Sequence, residues 1–216
     1  ESLGKDSFSL LLNGLTSITD EQAESLSEVG HLELDGLTSI TDRQAKSLSK
    51  NKIRLTLNGL SSITDEQAES LSKVKNLFIG GVTSITDEQV ESLSKTEGLR
   101  LDSLTSISDK QVESLSKAEF LNLNGLTSIT DEQVKILSEV GNLMLSGLTS
   151  ITDQQAESLS KVRSLGLGGL TSITNGQAES LSKNKIQLIL TGLSSITNEQ
   201  AESLSKVQLL LISKSC

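Results

Sequence analysis

Apolar residues along this chain follow two alternating periods. In segments such as Leu32-Glu33-Leu34 and Leu143-Met144-Leu145 a core residue returns at every second position, the pattern of a short strand with one buried face. Further along, Ala23 and Leu26 stand three apart and mark the inward face of a helix. Between them lies Thr19-Asp20-Glu21-Gln22, a capping box. In it the threonine hydroxyl accepts from the N–H of the third helical residue, and the glutamine reaches back to the threonine's own N–H. Asp20 and Glu21 complement the positive end of the helix dipole, and Lys50, Lys73 and Lys95 close the last turns of equivalent segments. A helix of about eight residues cannot persist alone and must be held by packing.

The strand-and-helix unit recurs along the whole chain. The isoleucine before each helix cap falls at Ile18, Ile40, Ile63, Ile85, Ile107, Ile129, Ile151, Ile173 and Ile196. These spacings are 22 residues, or 23 where Asn51-Lys52-Ile53 and Asn184-Lys185-Ile186 lengthen the link from a helix to the next strand. Nine full units result; Glu1 to Lys5 reads as the tail of an earlier helix, and Leu210 to Ile212 as the start of a further strand. One strand and one helix per unit predicts an α/β fold, a right-handed solenoid with a parallel sheet on one side and short helices on the other. Residues 1–216 are expected to form a single such domain, a segment of a longer array. Strands pack about 4.8 Å apart and helices about 8–10 Å apart, so the sheet is expected to line the concave side. Gly14, Gly36, Gly59, Gly81, Gly125, Gly147, Gly169 and Gly192, with Ser103 as the exception, are expected to let the chain turn off each strand. Leu209 to Ile212 would leave an apolar end, which predicts end-to-end self-association.

Composition narrows the function. The chain lacks proline, tryptophan and tyrosine; at 35% apolar and 22% charged residues it can bury a core, and no apolar run is long enough to span a membrane. A formal charge of −9 repels a phosphate backbone, so nucleic acid is not an expected partner. Cys216 cannot form an internal disulfide, and His31 as the sole histidine leaves no Cys/His metal cluster.

The repeated pattern LxLxxLxxITDxxAxxLS resembles the leucine-rich repeat, and in particular its cysteine-containing class, whose units read LxLxxCxxITDxxLxxLA and occur in F-box substrate adaptors. Leu15, Leu37, Leu60, Val82, Leu104, Leu126, Leu148, Leu170 and Leu193 stand where that class has its cysteine. Leucine cannot donate to the turn carbonyls, so the hydroxyls of Thr16 and Thr38 are expected to serve instead. No F-box is present and the unit is short, so the resemblance implies a bacterial-type array, with a lean toward the cell surface or secretion. It implies a partner-binding solenoid rather than an enzyme.

Few side chains in the chain could carry chemistry. His31 is the only base of the usual kind, and its equivalents Ser9, Arg54, Asn76, Gly98 and Phe120 share no property, which marks a solvated strand residue rather than a catalytic one. Asp20, Asp42, Asp65, Asp87, Asp109, Asp131 and Asp153 form a column that could be taken for a calcium ladder. Helix capping accounts for all of them, and Asn175 and Asn198 replace the acid without breaking the motif. Gly166-Leu167-Gly168-Gly169 lacks the following Lys-Ser or Lys-Thr of a phosphate loop. No catalytic residue, metal or cofactor is implied.

Variation between the repeats is more telling. Exposed helix positions such as Glu24, Glu69, Glu91 and Glu113 hardly change, whereas the central outward strand position reads Leu11, Glu33, Thr56, Phe78, Arg100, Asn122, Met144, Gly166, Ile189 and Leu211. Its flanking columns, beginning at Ser9 and at Asn13, vary nearly as much. Diversity gathered on one face of a constant frame predicts a protein-recognition surface centred on Glu33, Arg54, Thr56, Phe78, Arg100, Phe120, Asn122 and Met144. Two alternatives come from other classes: a spacer array with no ligand, and a hydroxyl ridge of Thr16, Ser17 and Thr19 columns meeting ice or a polysaccharide.

Overall fold

The computed structural model describes residues 8–51, 53–184 and 186–212. The segment Glu1 to Lys5, the inserted Lys52 and Lys185, and Ser213 and Cys216 lie outside the described residues.

Two compact units make up the chain, residues 1–104 and residues 105–216. The first contains β1 (Ser9–Leu11), α1 (Asp20–Leu26), β2 (His31–Glu33), α2 (Asp42–Leu48), β3 (Arg54–Thr56), α3 (Asp65–Leu71), β4 (Asn76–Phe78), α4 (Asp87–Leu93) and β5 (Gly98–Arg100). The second contains α5 (Asp109–Leu115), β6 (Phe120–Asn122), α6 (Asp131–Leu137), β7 (Asn142–Met144), α7 (Asp153–Leu159), β8 (Ser164–Gly166), α8 (Asn175–Leu181), β9 (Gln187–Leu190), α9 (Asn198–Leu204) and β10 (Leu209–Ile212). Within each unit the strands are parallel and pair with their neighbours in chain order. Parallel strands joined through helices wind right-handed, so each unit is a solenoid of the expected class.

Register is kept through the longer repeats. His31 pairs with Arg54 and Ser164 with Gln187, so the added residue is absorbed before the strand, where the sequence placed it. Asn51 and Asn184 carry this step: each side-chain amide donates to a carbonyl one coil earlier, of Val29 and Val162 respectively. Ordinary coils hold a buried apolar residue at that place, Val74 or Val140.

The core is the column of inward leucines. Leu32, Leu34, Leu55, Leu57, Leu77, Leu99, Leu121, Leu143, Leu165 and Leu188 are fully buried, each stabilising the fold by about 2 kcal/mol of apolar transfer. Small Ala23, Ala45 and Ala68 sit buried on the inner helix faces, leaving room for the strands beneath.

Every described helix begins with the capping box read from the sequence, with Ser108 in place of threonine in α5. The glutamine does more than close that box. While the Gln67 Oε1 accepts from the Thr64 N–H at 3.0 Å, its Nε2 donates to the Ile40 carbonyl of the preceding coil at 2.8 Å. Gln44, Gln89, Gln133, Gln155, Gln177 and Gln200 repeat the pattern on Ile18, Ile63, Ile107, Ile129, Ile151 and Ile173. A single side chain thereby satisfies an orphan helix donor and a buried turn acceptor.

Two expectations change in detail. The coil glycines do not serve an unusual backbone turn, because no glycine among the described residues has positive φ. They serve close approach: a Cβ on Gly36 would stand 2.4 Å from the Leu15 carbonyl oxygen, and on Gly59 2.2 Å from that of Asp35. Ser103 occupies this place in the fifth coil, and the first unit ends one residue later. Nor do Thr16 and Thr38 stand in for the family's cysteine. Both are exposed, and the turn carbonyls of Leu12 and Leu34 instead take the backbone N–H of Leu15 and Leu37, at 3.0 and 3.1 Å. Backbone geometry alone satisfies the turn, so the position needs only an apolar side chain.

Candidate recognition surface

The outward face of β2 to β5 carries three rows of side chains. Glu33, Thr56, Phe78 and Arg100 form the central row, each paired in register with the next. His31, Arg54, Asn76 and Gly98 form the row before it, which places half-buried His31 beside Arg54.

Phe78 is the focus of the first unit. The Arg54 guanidinium carbon lies 5.2 Å from its ring centroid and that of Arg100 lies 6.0 Å away, both within cation–π range. The two arginines differ in what else they meet. Arg100 donates from Nε to the Asp102 carboxylate two residues along its own strand face. Arg54 has no carboxylate partner among the described residues, and its Nε is buried with no acceptor. Thr56, two residues further along β3 and beside Phe78 in register, is only 4% exposed, and its hydroxyl also finds no partner.

In the second unit Asn122 pairs in register with Met144, and Met144 with Gly166. A Cβ on Gly166 would meet the Met144 sulfur at 2.3 Å, so the thioether lies across the bare glycine of the next strand. Phe120 opens β6 half-buried. Asn122 is 5% exposed, and its Oδ1 accepts from the Asn124 N–H at 3.0 Å, so its carbonyl end holds the local turn.

The columns flanking the central row prove partly structural. Asn13 Oδ1 accepts from the Asp35 N–H at 3.1 Å, Asp35 Oδ1 from the Asn58 N–H at 3.0 Å, and Asn58 Oδ1 from the Gly80 N–H at 2.8 Å. Asn124 does the same for Ser146 at 2.8 Å. These side chains form a ladder between coils that sequence reasoning took for surface variety. The signal was present, since Asn or Asp fills that place in half of the units, at Asn13, Asp35, Asn58, Asp102 and Asn124. On the other side, Asn76 Nδ2 donates to the Ile53 carbonyl and Asn142 Nδ2 to that of Glu119.

On the helix side, the aspartates after each cap accept from the next coil's cap hydroxyl: Thr41 donates to Asp20, Thr64 to Asp42 and Thr152 to Asp131. Asn175 accepts from Thr197 in the same way, which explains why the acid is dispensable there. Among the described residues no three His, Cys, Asp or Glu side chains gather where a metal could sit. Hydrogen bonds from Lys50 and then Ser47 hold the Glu24 carboxyl below the usual carboxylate range, and the backbone N–H at the start of α1, then Thr19, does so for Glu21. Among the described residues no helix is long and apolar enough to cross a membrane.

No protein-family model and no curated relative matches the chain. Solved structures do. An internalin of Listeria monocytogenes superposes with a TM-score of 0.55 at 16% identity, covering 90% of this chain and 69% of its own. Internalin C2 of the same organism gives 0.51 at 18% identity over 95% and 79%. A leucine-rich repeat protein of Leptospira interrogans gives 0.52 at 18% identity, and this chain spans 58% of its length. At such identity the likeness speaks for architecture alone, and together with the parallel strands, buried leucine columns and recurrent helices it identifies the fold as a leucine-rich repeat solenoid.

Proposed function

We propose that the chain is a non-enzymatic module that recognises a protein partner through the outward face of its strands. The carrying observation is the central row. Gln67, Asn58 and their equivalents are spent on the same bond between coils in unit after unit, whereas the central row repeats no such bond, leaves the Thr56 hydroxyl without a partner, and changes from coil to coil with only leucine recurring. A position that varies while the frame around it stays constant is available for contact. Arg54, Phe78 and Arg100, with Glu33 and Thr56 beside them, form the proposed contact patch of the first unit. Phe120, Asn122 and Met144 form that of the second. Aromatic and arginine side chains are the anchors most often found at binding hot spots.

The test compares faces. With a partner captured on the wild-type chain, the double variants R54A/F78A and F120A/M144A should each weaken binding by about thirtyfold or more while circular dichroism stays unchanged. The helix-face variant E69A/E91A should bind as wild type. Equal affinity for all three variants would favour the spacer reading.

The bacterial-type, cysteine-class assignment of the repeat belongs to the same proposal and rests on the recurrent Ile-Thr-Asp pattern, with buried Leu37, Leu60, Val82, Leu148 and Leu170 standing where that class has its cysteine. Exposed Leu209 and Leu211 on β10 favour a second reading, self-association through that strand. Light scattering should then show mass rising with concentration, and L209K/L211K should abolish the rise.

A further inference from the structure

We propose that Arg54, with Thr56 and Phe78, forms a carboxylate-binding subsite that takes an aspartate or glutamate side chain from an extended segment of the protein partner. The proposal rests on the recognition reading above and names the chemistry of what is recognised.

Two arginines pack on one ring, and only one of them has an anion. Arg100 is matched by Asp102, whereas Arg54 has no carboxylate partner among the described residues, and its Nε is buried without an acceptor. A charged donor withdrawn from water without an acceptor is costly, and an incoming anion that supplies the acceptor removes that cost. Thr56 gives a second, separate sign. Its hydroxyl is unpaired in a side chain more than nine-tenths buried, two residues from Arg54 on the same face of β3.

The surroundings select the occupant. A guanidinium offers a planar fork that matches a carboxylate's two oxygens, and the threonine hydroxyl can donate to the same group. Phe78 is flanked in register by Thr56 on β3 and Arg100 on β5, and the Asn76 amide lies over Gly98, so Arg54 and Thr56 are the groups left to meet an anion there.

In the resting arrangement the guanidinium lies on Phe78 and its Nε is closed to solvent. Binding then requires Arg54 to swing from the ring toward the incoming carboxylate, exchanging a cation–π contact for a charge-assisted pair.

The experiment titrates isotopically labelled protein with the capped peptide Ser-Asp-Ser-Asp-Ser-Asp-Ser, following the Arg54 Nε–H and Thr56 amide signals by nuclear magnetic resonance. Both signals should shift and saturate, and the peptide with asparagine in place of aspartate should bind about tenfold more weakly or worse. R54M should lose the response, and T56V should weaken it several-fold while the melting temperature holds or rises, which a merely structural threonine would not do. R163K, at an exposed arginine of the second unit, should leave binding unchanged. Equal binding of the two peptides would overturn the subsite yet leave the face reading standing. A response that survives R54M, or one that inorganic sulfate reproduces at the same concentration, would overturn it as well. If neither peptide moves a strand-face signal the subsite falls, and the partner comparison of R54A/F78A decides the face reading separately.

Discussion

Gln67 and Phe78 recur at fixed places in a coil, yet evolution treated their columns in opposite ways. The glutamine column is constant, and from Gln44 on nearly all of it is buried, as in Gln67, where one polar end is engaged at the helix cap and the other at the preceding coil. The phenylalanine column changes from coil to coil, only leucine recurring at Leu11 and Leu211, and no one contact repeats along it: Arg100 meets Asp102, Asn122 its own turn, and the Thr56 hydroxyl nothing. Constancy in this molecule follows the bonds between coils and does not follow burial alone. Thr56 and Asn122 are buried and vary, while half-buried Asp20 and exposed Asp42 are kept because the next coil's threonine donates to them.

Substitutions can break this contrast or sharpen it. The largest effect should come from the leucine core: Leu77→Ala removes a fully buried side chain and should lower unfolding free energy by about 4 kcal/mol in urea melts. Gly59→Ala should come next, at about 3 kcal/mol, because the added methyl meets the Asp35 carbonyl oxygen, which sits on backbone that cannot move aside freely. Replacing Gln67 by leucine keeps the volume but strands the Thr64 N–H and the Ile40 carbonyl, for an expected loss of about 2 kcal/mol. Asn58→Ala, in the flanking column, removes the acceptor for the Gly80 N–H and should cost about 1 kcal/mol, whereas Thr56→Val in the central row should cost nothing measurable. If the last two cost the same, the separation of frame from face fails.

The smallest effect concerns pH. Glu24 is held below its ordinary range chiefly by Lys50, so the favourable interaction is complete above the carboxyl's unfolded pKa and is lost as pH falls through the lowered folded value. The pair is exposed and contributes little to stability. Lys50→Gln should raise the Glu24 titration midpoint toward the usual carboxylate range, read from its side-chain carbon signal, with almost no change in melting temperature.

Much of the fold was legible because the repeat shows the same instruction nine times. Leucine alternation fixed the strands, the Thr-x-x-Gln spacing fixed each helix start, and the Asn-Lys insertions were correctly placed ahead of the strands. What escaped were contacts between coils. The second role of Gln67 joins residues 27 apart, and the Asn58 ladder joins residues 22 or 23 apart, so neither appears in any local pattern. The glycines were assigned a turning role because a single strand's end suggests one; only a neighbouring coil reveals that the true constraint is another chain segment's carbonyl. Likewise, the central row was picked out by its diversity, but which arginine would be left without a carboxylate depended on side-chain reach, which Asp102 settles for Arg100.

The most direct measurement is the affinity of a captured partner for two variants matched in stability, R54A/F78A on the strand face and E69A/E91A on the helix face. The account predicts a loss of about thirtyfold or more for the first and wild-type affinity for the second. Equal affinities, or a loss confined to the helix-face variant, would contradict it.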